Sequence, residues 1–164
     1  MFLDKFLRLL HHLHGNHILH RDIKPRNIIQ DVDGNLWLID FGICSFKGET
    51  GSMLPPRGSA GGATTVGTFG YMAPEAFTGD SCPASDPYAL GWTLISLLRG
   101  GDGTPYSTPN DHMMSQLVSG NLTALRSPAL RDVIVRLARR RVEDRYASAK
   151  EALKDLRAVG SEED

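Results

Sequence analysis

Cysteine, charge of one sign and long apolar runs are all scarce in this chain of 164 residues, and each scarcity removes a class of function. The two cysteines, Cys44 and Cys82, are too few for a disulfide framework, and they show neither C-x-x-C redox spacing nor the spacing of a zinc site. A reducing, cytoplasmic setting is therefore expected. Eighteen Lys and Arg against nineteen Asp and Glu leave a net charge of −1, so no global basic field calls for nucleic acid. No apolar run approaches the roughly 20 residues that cross a bilayer. The amphipathic start, MFLDKFLRLLHHLHG, lacks the small-residue cleavage site of a signal peptide. Neither a nucleic acid nor a membrane is an expected partner. What is present, 41% hydrophobic and 23% charged residues with 17 Gly and 9 Pro, describes one soluble globular domain with loop-rich stretches.

Apolar periodicity organises the chain. Phe2, Leu3, Phe6, Leu9, Leu10 and Leu13 recur at helical spacing, predicting an amphipathic helix that ends near Gly15. Two short apolar runs, 27–29 and 36–39, flank Asp33-Gly34, a strong hairpin signal. From Lys47 to Gly67 the composition turns to Gly, Ser, Pro and Thr, which predicts a long, poorly ordered loop. Residues 88–98 are apolar nearly all round, the mark of a helix buried in a core. Three further helical stretches are expected at about 110–119, 127–139 and 147–158, the last opening on the capping-box pair Ser148 and Glu151.

Three motifs then stand in a fixed order. His20-Arg21-Asp22-Ile23-Lys24-Pro25-Arg26-Asn27 reads H-R-D-x-K-x-x-N. Asp40-Phe41-Gly42 follows thirteen residues after Asn27, and Ala73-Pro74-Glu75 comes later, preceded by Gly67-Thr68. With a hairpin between the first two and a loop between the last two, the set resembles the eukaryotic-type (Hanks-type) serine/threonine protein kinases. The resemblance runs on through 85–91 to Glu143-Asp144-Arg145-Tyr146, and the D-F-G-I and R-Y-A-S-A wording is similar to bacterial members. It implies a mainly α (α+β) fold, a kinase-like large lobe with small β-hairpins and no small lobe. On that frame 1–158 is the lobe, with a catalytic loop at 20–27, an activation segment at 40–75 and a helical subdomain at 76–158. Residues 159–164 form an acidic tail.

The resemblance also assigns roles. Phosphoryl transfer passes through a loose transition state, so catalysis is mostly positioning and charge neutralisation. Asp22 is expected to accept the proton of the substrate hydroxyl and to orient it. Asn27 and Asp40 supply the hard oxygens that Mg²⁺ prefers. Lys24 neutralises the transferred phosphate of ATP, and Ile29 packs on the nucleotide. Lys24 and Gly67-Thr68 point to serine/threonine acceptors. His20, Arg21, Phe41, Gly42, Thr68, Glu75, Asp86 and Arg145 are expected to be architectural. Among these, Asp86 would bind amides of the catalytic loop, Glu75 would pair with Arg145, and His20 would stack on Phe41. Ser59, Thr64 and Thr65 are candidate phosphosites, and a phosphate there could pair with Arg21.

Other features read as structural. His11, His12, His14 and His17 crowd the first helix and turn, but no carboxylate or cysteine completes a ligand set, so no metal is expected. Arg139, Arg140 and Arg141 read as a solvated helix end. Arg26 stands where the family often has Glu and is expected to bear on substrate preference, and His17 in place of the usual Gly is expected to be harmless.

Equally informative, no G-x-G-x-x-G or V-A-I-K precedes the catalytic loop, and the glycines at 58, 61, 62 and 67 fall in the activation segment. An apolar surface around Ile18, Ile29 and Leu38 is therefore expected where adenine and a small lobe would pack. Alone, the chain is expected to bind Mg²⁺ and ATP weakly and to transfer little. Two functions follow from this: a Ser/Thr kinase large lobe that works when another chain supplies the small lobe, or a silent kinase-like module that docks a partner protein.

Overall fold

The computed structural model describes residues 2–41, 44–47, 53–54, 67–98, 125 and 127–160. Helix α1 (Phe2–Gly15) turns Leu3, Phe6, Leu7, Leu10 and Leu13 inward, as its apolar spacing dictates. Strand β1 (Ile18–Leu19) leads into the segment 20–27, whose last three residues, Pro25–Asn27, form one 3-10 turn. Strands β2 (Ile28–Gln30) and β3 (Leu36–Leu38) pair antiparallel, Ile28 opposite Leu38, Ile29 opposite Trp37 and Gln30 opposite Leu36. The turn between them is built on Asp31, whose carboxylate accepts the amides of Asp33 and Asn35, the Asn35 side-chain amide and the Trp37 indole N–H. Gly34 sits in the turn at φ 76, a left-handed conformation that glycine adopts without strain.

The chain then adds two strands that the sequence does not signal, the second of them inside the stretch predicted to be loop. Strand β4 (Ser45–Lys47) pairs antiparallel with β1, and β5 (Met53–Leu54) pairs with β4, making a three-stranded sheet in the order β1-β4-β5. Runs of two and three residues are too short to leave a period-2 signature, and the ladder rather than propensity fixes them. The expectation of an irregular loop from Lys47 onward is thus corrected at Met53–Leu54.

Helix α2 (Ser85–Leu98) is buried from Ser85 to Ser96 and forms the centre of the core. It packs on α3 (Pro128–Leu137), while α1 packs on α4 (Ala149–Gly160). Ser127 caps α3 by accepting the Leu130 amide. At α4, Ser148 accepts the Glu151 amide and Glu151 reaches back to the Ala147 amide, one residue earlier than in the usual capping box. The helix runs through Gly160, so residues 159 and 160 belong to it rather than to an acidic tail. The helical stretch expected at 110–119 lies outside the described residues.

Two local geometries carry expected outcomes. Gly91 lets α2 approach α3 so closely that a Cβ there would lie 2.8 Å from the Ala138 amide nitrogen. Gly91→Ala should therefore cost about 1–3 kcal/mol by overpacking, read as a shift in the denaturant midpoint. His17 has φ 60, so a residue expected to be harmless holds a left-handed backbone. His17→Gly should gain up to about 1 kcal/mol, since relief of the Cβ clash is partly offset by glycine's extra freedom when unfolded. Equal or lower stability of the variant would show the turn to be unstrained.

Candidate active site

The segment between β1 and β2 gathers the polar residues singled out in the sequence. Asp22 lies at its centre, 9% exposed. Its Oδ1 accepts the Thr68 hydroxyl at 2.6 Å, and its Oδ2 accepts Lys24 Nζ at 2.6 Å and Asn27 Nδ2 at 3.1 Å. Lys24 Nζ also donates to Thr68 Oγ1 at 2.7 Å, closing a triangle of carboxylate, ammonium and hydroxyl. Asn27 is buried and its Nδ2 further donates to the Asp22 carbonyl at 2.8 Å, which locks the turn at Pro25–Asn27. Burial pushes the Asp22 carboxyl up, but the hydrogen bonds from Lys24 and Thr68 outweigh it and hold the group below the usual range. The site thus keeps an ionised, buried carboxylate beside an ammonium.

Thr68 is the residue whose place the sequence missed. The motif made it a marker of acceptor class and an architectural residue, yet its hydroxyl contacts both Asp22 and Lys24. Gly67 brings it there. Gly67 has φ 139, and a Cβ on it would lie 3.1 Å from the Arg21 carbonyl oxygen, so only glycine lets this strand of chain press against the 20–27 segment.

Beneath the site lies a second polar layer. Asp86, buried near the start of α2, accepts the amides of His20 and Arg21, each at 2.9 Å. Arg21 adopts φ 70 and Asp40 φ 64, left-handed conformations that persist only where the surroundings enforce them. The Arg21 guanidinium donates to Ser81 Oγ at 3.2 and 3.3 Å. His20 is wholly buried, its Nε2 is 3.0 Å from the Ile39 carbonyl, and its ring meets Phe41 edge-on at 4.8 Å rather than stacking. Cys44 closes the back of this layer: its Sγ lies 3.5 Å from the His20 carbonyl, and burial pushes its thiol up to about 12, so it remains protonated.

Farther along, Arg145 forks onto Glu75, Nη1 to Oε1 at 2.8 Å and Nη2 to Oε2 at 2.7 Å, and Ser85 Oγ adds a bond to Oε1 at 2.7 Å. Around the outer face of the β2–β3 hairpin, Ile29, Trp37, Ile39 and Phe41 are 48%, 58%, 40% and 43% exposed. The expected apolar surface therefore includes Ile29, but Leu38 is buried on the other face of the pair, packed in the core. Period-2 alternation explains the difference, because Leu38 sits opposite Ile28 and not Ile29. Arg26 is exposed, as are His11, His12 and His17, and among the described residues no group of three or more His, Cys, Asp or Glu is placed to hold a metal. Gly42, Ser59, Thr64 and Thr65 lie outside the described residues.

A family model described as the protein kinase domain matches residues 1–156. The chain belongs to the protein kinase family. It is 38% identical over 144 residues to "Serine/threonine-protein kinase C" of Synechocystis, covering 87% of this chain and 26% of that protein. It is 35% identical over 164 residues to "Serine/threonine-protein kinase D" of the same organism, covering 98% and 32%. Similarity extends to "Serine/threonine-protein kinase PknH" of Mycobacterium bovis, 35% identical over 144 residues, covering 83% and 23%. This kinase-family chain spans about a quarter to a third of the length of those relatives. Among the described residues no helix is long and apolar enough to cross a membrane.

Acid stability should report the polar layers together. Asp22, Glu75 and Asp86 all bind protons more weakly folded than unfolded, starting from ordinary values of 3.8, 4.5 and 3.8. The stability they contribute is complete above those ordinary values and is lost as pH falls through the depressed ones. Thermal melts should accordingly be flat from about pH 7 to pH 5 and fall steeply below about pH 4.5. A midpoint that holds or rises on acidification would show that these carboxylates do not stabilise the fold.

Proposed function

We propose that the chain is the large lobe of a serine/threonine protein kinase, acting on a hydroxyl of a protein substrate with the γ-phosphoryl of ATP when a small lobe completes the nucleotide site. The observation that carries this is the triangle of Asp22, Lys24 and Thr68. A carboxylate held ionised beside a cation is suited to orient an acceptor hydroxyl and to offset charge on a transferred phosphoryl group. Because hydrogen bonds hold Asp22 below the usual carboxylate range, it is a weak base. Its main contribution is to direct the hydroxyl, with proton transfer late.

The residues present fit a nucleotide-bound Mg²⁺. Asn27 spends its amide nitrogen on Asp22, which leaves the hard carbonyl oxygen of the same amide for a cation, and Asp40 is an exposed carboxylate two residues past the β3 end of the hairpin. Asn27 and Asp40 would hold the ion, which when bound neutralises phosphate charge. Exposed Ile29 offers an apolar wall to the adenine, beside Trp37 and Ile39. The acceptor would lie along the face formed by Thr68 and the exposed Phe69. Cytoplasmic location and a protein partner or separate small-lobe chain belong to the same proposal.

A radiolabelled-ATP assay on the 164-residue chain, alone and mixed with a separately produced kinase small lobe, tests it. No transfer is expected from the chain alone, and transfer is expected on mixing, abolished by Asp40→Ala. Transfer that survives loss of Asp40 would overturn the assignment, and silence under both conditions would favour a docking module instead.

A further inference from the structure

The segment that carries Asp22 holds more positive charge than the proposed chemistry uses. Residues 20–29 contain Arg21, Lys24 and Arg26 against a single carboxylate, Asp22. Lys24 and Asp22 neutralise each other at 2.6 Å. Arg21 directs its guanidinium at the Ser81 hydroxyl. Among the described residues neither Arg21 nor Arg26 forms an ion pair. Two cations of this short segment therefore stand without a carboxylate, in a chain whose net charge is −1.

The carboxylates around the site do not answer that charge, because each is already engaged. From Gly67 to Gly79 the one charged residue is Glu75, and the Arg145 fork holds it. Asp86 is buried and occupied by the amides of His20 and Arg21 and by His14 Nε2 at 2.9 Å. Asp40 is assigned to the cation of the nucleotide. Phe69 and Phe77, 52% and 44% exposed with their rings edge-on at 6.1 Å, offer apolar area and no charge. An acceptor lying along Thr68 and Phe69 is thus selected by charge through arginine alone. Of the two arginines, Arg21 is half-buried and held by Ser81, whereas Arg26 is exposed. The backbone of Arg26 is fixed on both sides: Pro25 before it restricts φ, and Asn27 after it is locked to Asp22 by two hydrogen bonds. A guanidinium on so rigid a turn suits a carboxylate, which it binds in a two-pronged contact.

We propose that Arg26 is a specificity-determining residue and that the acceptor is an acidic segment, with an aspartate or glutamate close to the serine or threonine that receives the phosphoryl group. The preference rests on the function proposed for Asp22, Lys24 and Thr68, but it is read as binding, which needs neither ATP nor a small lobe.

Titration of the ¹⁵N-labelled 164-residue chain with short serine peptides tests it, the peptides being identical except that glutamate, glutamine or lysine flanks the serine. The glutamate peptide should bind roughly two- to fivefold more tightly than the glutamine peptide, as expected of an exposed ion pair, and the lysine peptide more weakly than either. Shifts should centre on the amides of Arg26, Thr68 and Phe69, and added salt should erase the difference. Arg26→Gln should bind all three peptides alike, and Arg26→Glu should favour the lysine peptide. Both variants should fold as the wild type does, since Arg26 is exposed. Equal binding of the three peptides by the wild-type chain, no detectable binding of any included, would overturn the proposal, as would a preference that Arg26→Glu does not reverse. Charge selection in binding while the mixed-lobe assay stays silent would uphold the acidic partner and refute the kinase reading; transfer without charge selection would do the opposite.

Discussion

Arg145→Ala is expected to lower stability by about 3–5 kcal/mol, enough to unfold much of the chain at ordinary temperature. The arginine is 3% exposed and makes four hydrogen bonds, two to the Glu75 carboxylate and one each to the carbonyls of Ala84 and Arg140. Its guanidinium also lies 4.6 Å from the centre of the Tyr88 ring. Truncation removes all of this and leaves Glu75 half-buried with, among the described residues, only the Ser85 hydroxyl as a side-chain donor. The loss exceeds the value of the pair itself, because an uncompensated carboxylate and two carbonyls remain behind. Asp22→Asn is the contrast. A site tuned for charge placement would be expected to gain stability when neutralised, but the ammonium and hydroxyl around Asp22 change that balance, and a cost of about 1 kcal/mol is expected instead. Chemical denaturation of both variants measures the difference. Equal losses would show that the Glu75–Arg145 pair does not tie the segment to the later helices.

The sequence made the polar constellation legible because each member has little freedom of type. An amide, a carboxylate and an ammonium at fixed spacing on one tight turn leave few alternatives, and Asp22, Lys24 and Asn27 do converge. The pairs Glu75–Arg145 and Asp86 with the amides of His20 and Arg21 could likewise be anticipated from the resemblance, though 70 and about 65 residues separate the partners. Less legible were contacts decided by packing alone. Strand β5 pairs through backbone groups, which carry no side-chain signature. The burial of Leu38 depends on which face of a three-residue strand meets the core. His14 appeared among three other histidines of the first helix and turn, and its contact with buried Asp86 separates it from exposed His11, His12 and His17. The signal that could have found it was position: His14 alone falls on the stripe of Leu7 and Leu10.

Thr68→Val should cut phosphoryl transfer by about 10²–10³-fold under conditions in which the wild-type chain, joined by a small lobe, is active. Valine keeps the shape of threonine and removes the hydroxyl. That hydroxyl donates to Asp22 Oδ1 at 2.6 Å and accepts from Lys24 Nζ at 2.7 Å, so it sets the angle between base and cation. Without it Lys24 retains its direct 2.6 Å contact with Asp22, which draws the ammonium toward the carboxylate and away from a phosphoryl group. The loss should fall on kcat more than on KM, because the contact matters most where charge develops. Thr68→Ser keeps the hydroxyl and should retain most of the rate, whereas Asp22→Ala should lose at least as much as Thr68→Val. Stability should change little by comparison, about 1 kcal/mol for a half-exposed hydroxyl. A valine variant that transfers phosphate at the wild-type rate would return Thr68 to a purely architectural role, and the triangle would then be a resting arrangement that opens before substrate binds.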